Sequence, residues 1–144
     1  MRADLEDRYR RKILPDHPVF AWMVRHACWL LERFHLRAGG TTPFSEAFGH
    51  SYRGEVIPFG ECCLFRYSSS LKQGNKKMTK KTDLTFSKGV WLGKDSTTDE
   101  HIVANSMGAF HTRTVKRMAA TMHHVPEMLD GVLCAPLERA RHRV

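Results

Sequence analysis

The period of the apolar residues changes near residue 54, from the 3.6 of a helix to the 2 of a strand. A helical segment followed by a run of short strands is the order of an α+β chain. That is the fold class expected here.

The helical part is punctuated clearly. Leu5, Tyr9 and Ile13 fall at four-residue spacing, so residues 1–14 read as a helix that Pro15-Asp16-His17-Pro18 ends. Residues 18–37 form the strongest helical pattern. Phe20, Met23, Ala27, Leu30, Leu31 and Phe34 mark one face, and Trp22 and Trp29 widen it. A helix this apolar must be covered on most sides. Gly39-Gly40 stops it. Thr42 then reads as an N-cap, Pro43 as the first helical residue and Gly49 as the stop of a short helix over 41–48.

Strand patterns follow. Residues 55–60 read as a short edge strand, because Pro58 cannot donate to a ladder. Residues 62–67, 89–93, 101–105 and 109–115 read as further strands, with a turn at Met107-Gly108. Four or five short strands in this length suit a small antiparallel barrel. From residue 119 the chain mixes Pro, Met, His and Arg. It reads as an irregular tail, with a short helix near Glu127–Leu133.

Charge narrows the function. Twenty-three Lys and Arg stand against fifteen Asp and Glu, a formal +8, with a pI near 9.6. Such a surface favours a polyanion. No apolar run is long enough to span a bilayer, and the first residues lack the apolar core of a secretory signal. A nuclear or cytoplasmic, unsecreted, membrane-free protein is expected. The four cysteines, Cys28, Cys62, Cys63 and Cys134, have no Cys-x-x-Cys spacing and do not read as a disulfide framework.

Enzymatic signatures are missing. Nine histidines and four cysteines do not form the paired ligands of a structural zinc site. There is no Gly-x-Ser-x-Gly elbow and no phosphate-cradling glycine loop. Asp95, Asp99 and Glu100 cluster, but in a hairpin loop where solvated turn residues are the simpler reading. No catalytic residue, metal or cofactor is expected.

One local signal remains. Residues 68–94 hold seven lysines against a single acid, Asp83. A small barrel with such a loop can track a phosphate backbone, and binding should then be salt-sensitive. The residues expected to contact phosphate are Lys72, Lys76, Lys77, Lys80, Lys81 and Lys88. Arg113, Lys116 and Arg117, which leave the last strand with the same sign, complete the set.

Several stretches carry a family resemblance. They are His17-Pro18-Val19-Phe20-Ala21-Trp22-Met23-Val24-Arg25-His26-Ala27 and Gly40-Thr41-Thr42-Pro43-Phe44. Tyr52-Arg53-Gly54, Phe59-Gly60-Glu61, Gly89-Val90-Trp91-Leu92-Gly93-Lys94-Asp95 and Thr112-Arg113-Thr114-Val115-Lys116-Arg117 follow. In this order, over residues 17–117, the chain resembles the C-terminal part of the integrase region of copia-type LTR retrotransposon polyproteins. The version found in protist genomes, dinoflagellates especially, is the nearest in pattern. The resemblance implies that residues 1–50 are a helical remnant of an RNase H-like catalytic core. It makes residues 51–118 a small Src-homology-3-like barrel, and 119–144 a linker or partly disordered tail. In that family the apolar helix at 18–37 packs on a sheet that this chain lacks. The family's metal-binding Asp, Asp and Glu are also missing, and Glu6 does not stand in the right context to replace the Glu.

The function these readings imply is sequence-tolerant DNA binding in support of integration, by a fragment that is not a nucleotidyltransferase on its own. The partners implied are the DNA phosphate backbone, the rest of the polyprotein or integrase core, and a second copy of the chain. Two other readings compete. One is a peptide-binding module with Trp91 and Phe110 as aromatic platforms; the other is a genomic relic without function.

Overall fold

The computed structural model describes residues 1–67, 72–73, 76–77 and 86–136, the two pairs at 72–77 by their backbone alone. Helix α1 (Arg2–Tyr9) stops earlier than its spacing suggests, because Arg10 takes the left-handed conformation at φ 53°. Ile13 still reaches the core from the following turn. Helix α2 (Val19–Phe34) buries Trp22, Met23, His26, Trp29 and Arg33 along one face. Helix α3 (Pro43–Phe48) forms as its punctuation requires. Thr42 and Ser45 make a reciprocal capping box, Pro43 opens the helix, and Gly49 closes it at φ 78°.

The sheet holds β1 (Cys62–Phe65), β4 (Ser87–Lys94), β5 (His101–Asn105), β6 (Gly108–Thr112) and β7 (Val115–Arg117). A separate two-residue hairpin, β2 (Lys72–Gln73) and β3 (Lys76–Lys77), lies in the connection from β1 to β4. The main sheet is antiparallel throughout, in the order β6-β5-β4-β1-β7. It is open, with β6 and β7 as its edges, rather than the closed barrel suggested by the strand count. A bulge at Leu92 shifts the β4–β5 register, and Gly93 absorbs it at φ 131°.

Alternation along the strands sends side chains into two cores, one on each face. Cys62, Val90, Leu92, Ile102 and Ala104 join Leu5, Tyr9, Val19 and Trp22 of the helices in the larger one. Cys63, Phe65, Trp91 and Val103 make the smaller one with Ile57, under Tyr67, Phe110 and Val115. Helix α2 thus packs on this chain's own sheet, so its apolar face needs no absent partner there. Burial on both faces explains why β4 reads as a nearly continuous apolar run.

Three further expectations change. Residues 55–60 form no strand. A strand would send Ile57 and Phe59 to one face, but Ile57 enters the smaller core and Phe59 the larger. The segment crosses between faces and ends in a turn, where Glu61 N–H donates to Pro58 O and Gly60 sits at φ 79°. The single last strand over 109–115 is two strands, parted at Arg113-Thr114. The described part of the tail, through Pro136, packs on the core and includes the short helix expected near Glu127–Leu133; residues 137–144 lie outside the described residues. The described part forms a 3-10 turn (Ala120–Met122) and helix α4 (Pro126–Asp130), and it buries Leu129 and Val132 in the larger core. Trp22 Nε1 donates to Cys134 O at 2.7 Å, and Arg11 pairs with Asp130.

Candidate nucleic-acid interface

The register of the sheet sets the basic residues. Leu64 on β1 is paired with Lys88 on β4 and with Lys116 on β7. Residues directly opposite each other share a face. Lys88 and Lys116 therefore flank Leu64 on one face, two strand spacings or roughly 10 Å apart. This is the helix-packed face, beyond the point where Cys62 and Val90 are covered. Both lysines are exposed. Lys116 Nζ lies 4.8 Å from the centre of the Phe86 ring, which gives the patch an aromatic member. Arg66, two residues after Leu64, is the next basic residue on β1's continuation; its N–H donates to Thr114 O. Sequence reasoning missed Arg66 and Phe86. The alternation of β1 was the available signal for Arg66.

The other expected contacts divide. Lys72 is paired with Lys77 in the β2–β3 hairpin, with Lys76 opposite Gln73. That hairpin lies in the connection leaving the end of β1 and entering β4 just before Lys88. Lys80 and Lys81 lie outside the described residues. Arg113 stands at the corner between β6 and β7, its side chain 89% exposed and its Nε 3.3 Å from Glu100 Oε1. Arg117 alternates to the face opposite Lys116. Its Nε and Nη2 donate to the two carboxylate oxygens of Glu61 at 2.9 and 3.0 Å. Glu61 is buried and also meets His123 Nε2 at 3.1 Å. Arg117 is thus tied into the fold.

The stretches Tyr52–Gly54 and Gly89–Asp95 meet at a second polar cluster. Tyr52 O–H donates to Asp99 Oδ1 at 2.6 Å, and Lys94 Nζ reaches Asp99 Oδ2 at 3.0 Å. Gly54 allows this approach: a Cβ there would fall 2.1 Å from the Tyr52 oxygen. Burial and the bond to Asp99 raise the Tyr52 pKa. Trp91 Nε1 donates to His101 Nδ1 at 3.0 Å, so the neutral ring carries its proton on Nε2, toward Glu55 at 3.8 Å. Two of the three loop acids meet at one ring: Asp95 Oδ2 lies 3.5 Å from His111 Nε2 and Glu100 Oε2 lies 3.4 Å from His111 Nδ1. Asp95 also accepts from the N–H groups of Thr97 and Thr98, Glu100 also faces Arg113, and Asp99 holds Tyr52 and Lys94.

The geometry also places the other candidate residues. Trp91 is fully buried and cannot serve as an exposed platform; Phe110 packs against the same core. Burial pushes the Cys63 thiol up to about 12, far from a reactive thiolate. Glu6 is on α1, bonded to Arg2. Among the described residues, no three His, Cys, Asp or Glu side chains are placed to hold a metal ion, and no helix is long and apolar enough to cross a membrane.

Comparison with protein-family models, with curated proteins and with solved structures finds no match to this chain.

Proposed function

We propose that this chain derives from the integrase region of a copia-type retrotransposon polyprotein and binds the DNA backbone without reading sequence. The observation that carries the reading is the row Lys88–Leu64–Lys116 across three strands, beside a connection rich in lysine. Two lysines rooted roughly 10 Å apart on a stiff sheet can each reach a phosphate of the same duplex. Lysine contacts of this kind position a protein on DNA and carry no base information.

The barrel expected from the family is a finer reading than an open sheet. It is supported by connectivity: β6 and β7 are consecutive in the chain yet lie at opposite edges. Thr112 Oγ1 donates to Arg66 O, and Arg66 N–H donates to Thr114 O, so the β6–β7 corner is bonded to the end of β1. A sheet that curls until its two edges share a corner is most of the way to a barrel. Strand transfer is not part of the proposal, because the family's metal-binding acids have no counterparts in the matching stretches.

Fluorescence anisotropy with a labelled duplex across a salt series tests the reading. Affinity should fall steeply with salt. The double substitution Lys88→Ala, Lys116→Ala should lower the slope of log K against log salt by about 1.8, at about 0.9 for each lost phosphate contact. An unchanged slope in a folded variant removes this face from the interface. Salt-independent binding of an apolar peptide, with no DNA binding, would favour the interaction-module reading.

A further inference from the structure

We propose that the lysine face of the sheet stacks an unpaired base on Phe86 and so takes single-stranded DNA in preference to a duplex. This rests on the reading that the face binds the DNA backbone, and it names the form of DNA that the face selects. Phe65 on β1 is paired with Ser87 on β4. One step further along each chain segment stand Arg66 and Phe86. Alternation returns both to the face of Leu64 and Lys88. The ring is seen there: Lys116 Nζ, on that same face, lies 4.8 Å from its centre. Phe86 immediately precedes β4 and Lys116 is on β7, so ring and ammonium meet across β1.

Among the described residues, Phe86 packs in neither core. It is half-buried, as is Leu64, while Lys88 and Lys116 are exposed. The face thus presents an aromatic ring and an apolar floor between two cations. A single strand uses both kinds of group: cations hold its phosphates, and a ring takes the face of a base.

Magnitudes favour the strand. In the protein alone the Lys116 ammonium covers the ring, a cation–π contact. A bound strand replaces that one contact with two. The ammonium moves to a phosphate, and a base takes its place on the ring. An exposed cation–π contact is worth about two- to five-fold in an equilibrium constant, whereas a stacked base is worth about five- to 150-fold. A duplex cannot make the exchange, because its bases are already stacked on one another and must be unstacked to reach a ring. It meets the lysines alone. Every base has a stacking face, so the preference carries no sequence information.

Fluorescence anisotropy of the full chain decides it, with a labelled oligothymidylate of about 15 nucleotides and a duplex of the same length. The wild type should bind the single strand at least as tightly as the duplex, although the single strand has the lower charge density. Phe86→Leu should lose about tenfold on the single strand and nothing on the duplex. Its salt slope should be unchanged on both, because stacking releases no counterion. Phe86→Trp should bind the single strand severalfold more tightly than wild type, and it carries the same test should the leucine variant fail to fold. Lys88→Ala with Lys116→Ala should lower the slope on the single strand by about 1.4, at about 0.7 for each lost contact. Equal losses on both forms in Phe86→Leu would make Phe86 a packing residue and overturn the proposal. A single strand indifferent to residue 86, or a wild type that prefers the duplex, overturns it too. In each of these cases salt-dependent duplex binding leaves the backbone reading standing. A wild type that binds neither form removes both.

Discussion

Glu61 is where three parts of the chain are joined. Its carboxylate is buried and holds Arg117 of β7 through two bonds and His123 of the 3-10 turn through one contact. Its backbone O accepts from Trp91 N–H of β4. Removing one partner of a buried carboxylate costs more than the bond itself, because the charge is left without compensation. Arg117→Ala should therefore lower stability by about 2 kcal/mol in urea titration, since among the described residues only His123 would remain to the Glu61 carboxylate. The same substitution should leave the salt slope of DNA binding unchanged, whereas Lys116→Ala, one residue away, should lower the slope and leave stability unaltered. The opposite pattern would exchange the roles assigned to these neighbours. In the sequence, Arg113, Lys116 and Arg117 look alike. Only the register of β7 on β1 separates the lysine beside Leu64 from the arginine bonded to Glu61.

Strand β4 carries the sheet, because it pairs with both β1 and β5 and passes between the two cores. Gly89 is what lets its neighbours close over it. A Cβ at that position would lie 2.4 Å from Val103 Cγ1, 3.0 Å from Ala104 O and 3.0 Å from Phe65 Cε1. Two of these three belong to core side chains and one to backbone, so none can move freely. Gly89→Ala should cost about 3 kcal/mol, read as a fall in the urea midpoint, the size expected for overpacking a closed core. A near-neutral effect would mean that β4 and β5 separate more easily than their register suggests. Elements with local signals were legible in sequence. Helix α3 follows from Thr42, Pro43 and Gly49, and β5 has the bounds its alternation gives. Elements shaped by tertiary contact were not. Residues 55–60 alternate like a strand, yet Ile57 and Phe59 serve different cores, which only the folded sheet can specify. The short helix near Glu127–Leu133 was legible, but its docking was not, for the same reason: Leu129 and Val132 are buried by distant residues, not by a local period. The lysine-rich connection was visible as composition, but the row formed by Lys88 and Lys116 depends on β1 lying between two strands far apart in sequence.

Helices and sheet share the larger core, in which Leu5, Trp22, Ile102 and Leu129 all take part, so the described residues should unfold together. This ties stability to the histidines held in and around that core. Burial lowers the pKa of His17, His26, His101 and His124, and brings His26 down to about 4. Once unfolded, each titrates near its ordinary value of about 6.5. Below that pH the unfolded chain binds more protons than the folded one, so stability is fully present above about 6.5 and falls as pH falls. Carboxylates enter later: Glu6, held low by its bond to Arg2, begins to lose its charge only below its ordinary 4.5. The loss between these limits is therefore a histidine effect, with His26 supplying up to about 1.4 kcal/mol per pH unit. His26 stacks between Trp29 and Phe59, and its buried Nδ1 has no hydrogen-bond partner among the described residues. A phenyl ring can keep the stack and cannot take a proton. His26→Phe should thus fold normally at neutral pH and lose less stability on acidification than the wild type, measured as urea midpoints at a series of pH values from 7 downward. Equal losses in both proteins would show that His26 accepts its proton without unfolding, and would shift the acid sensitivity to His17, His101 and His124.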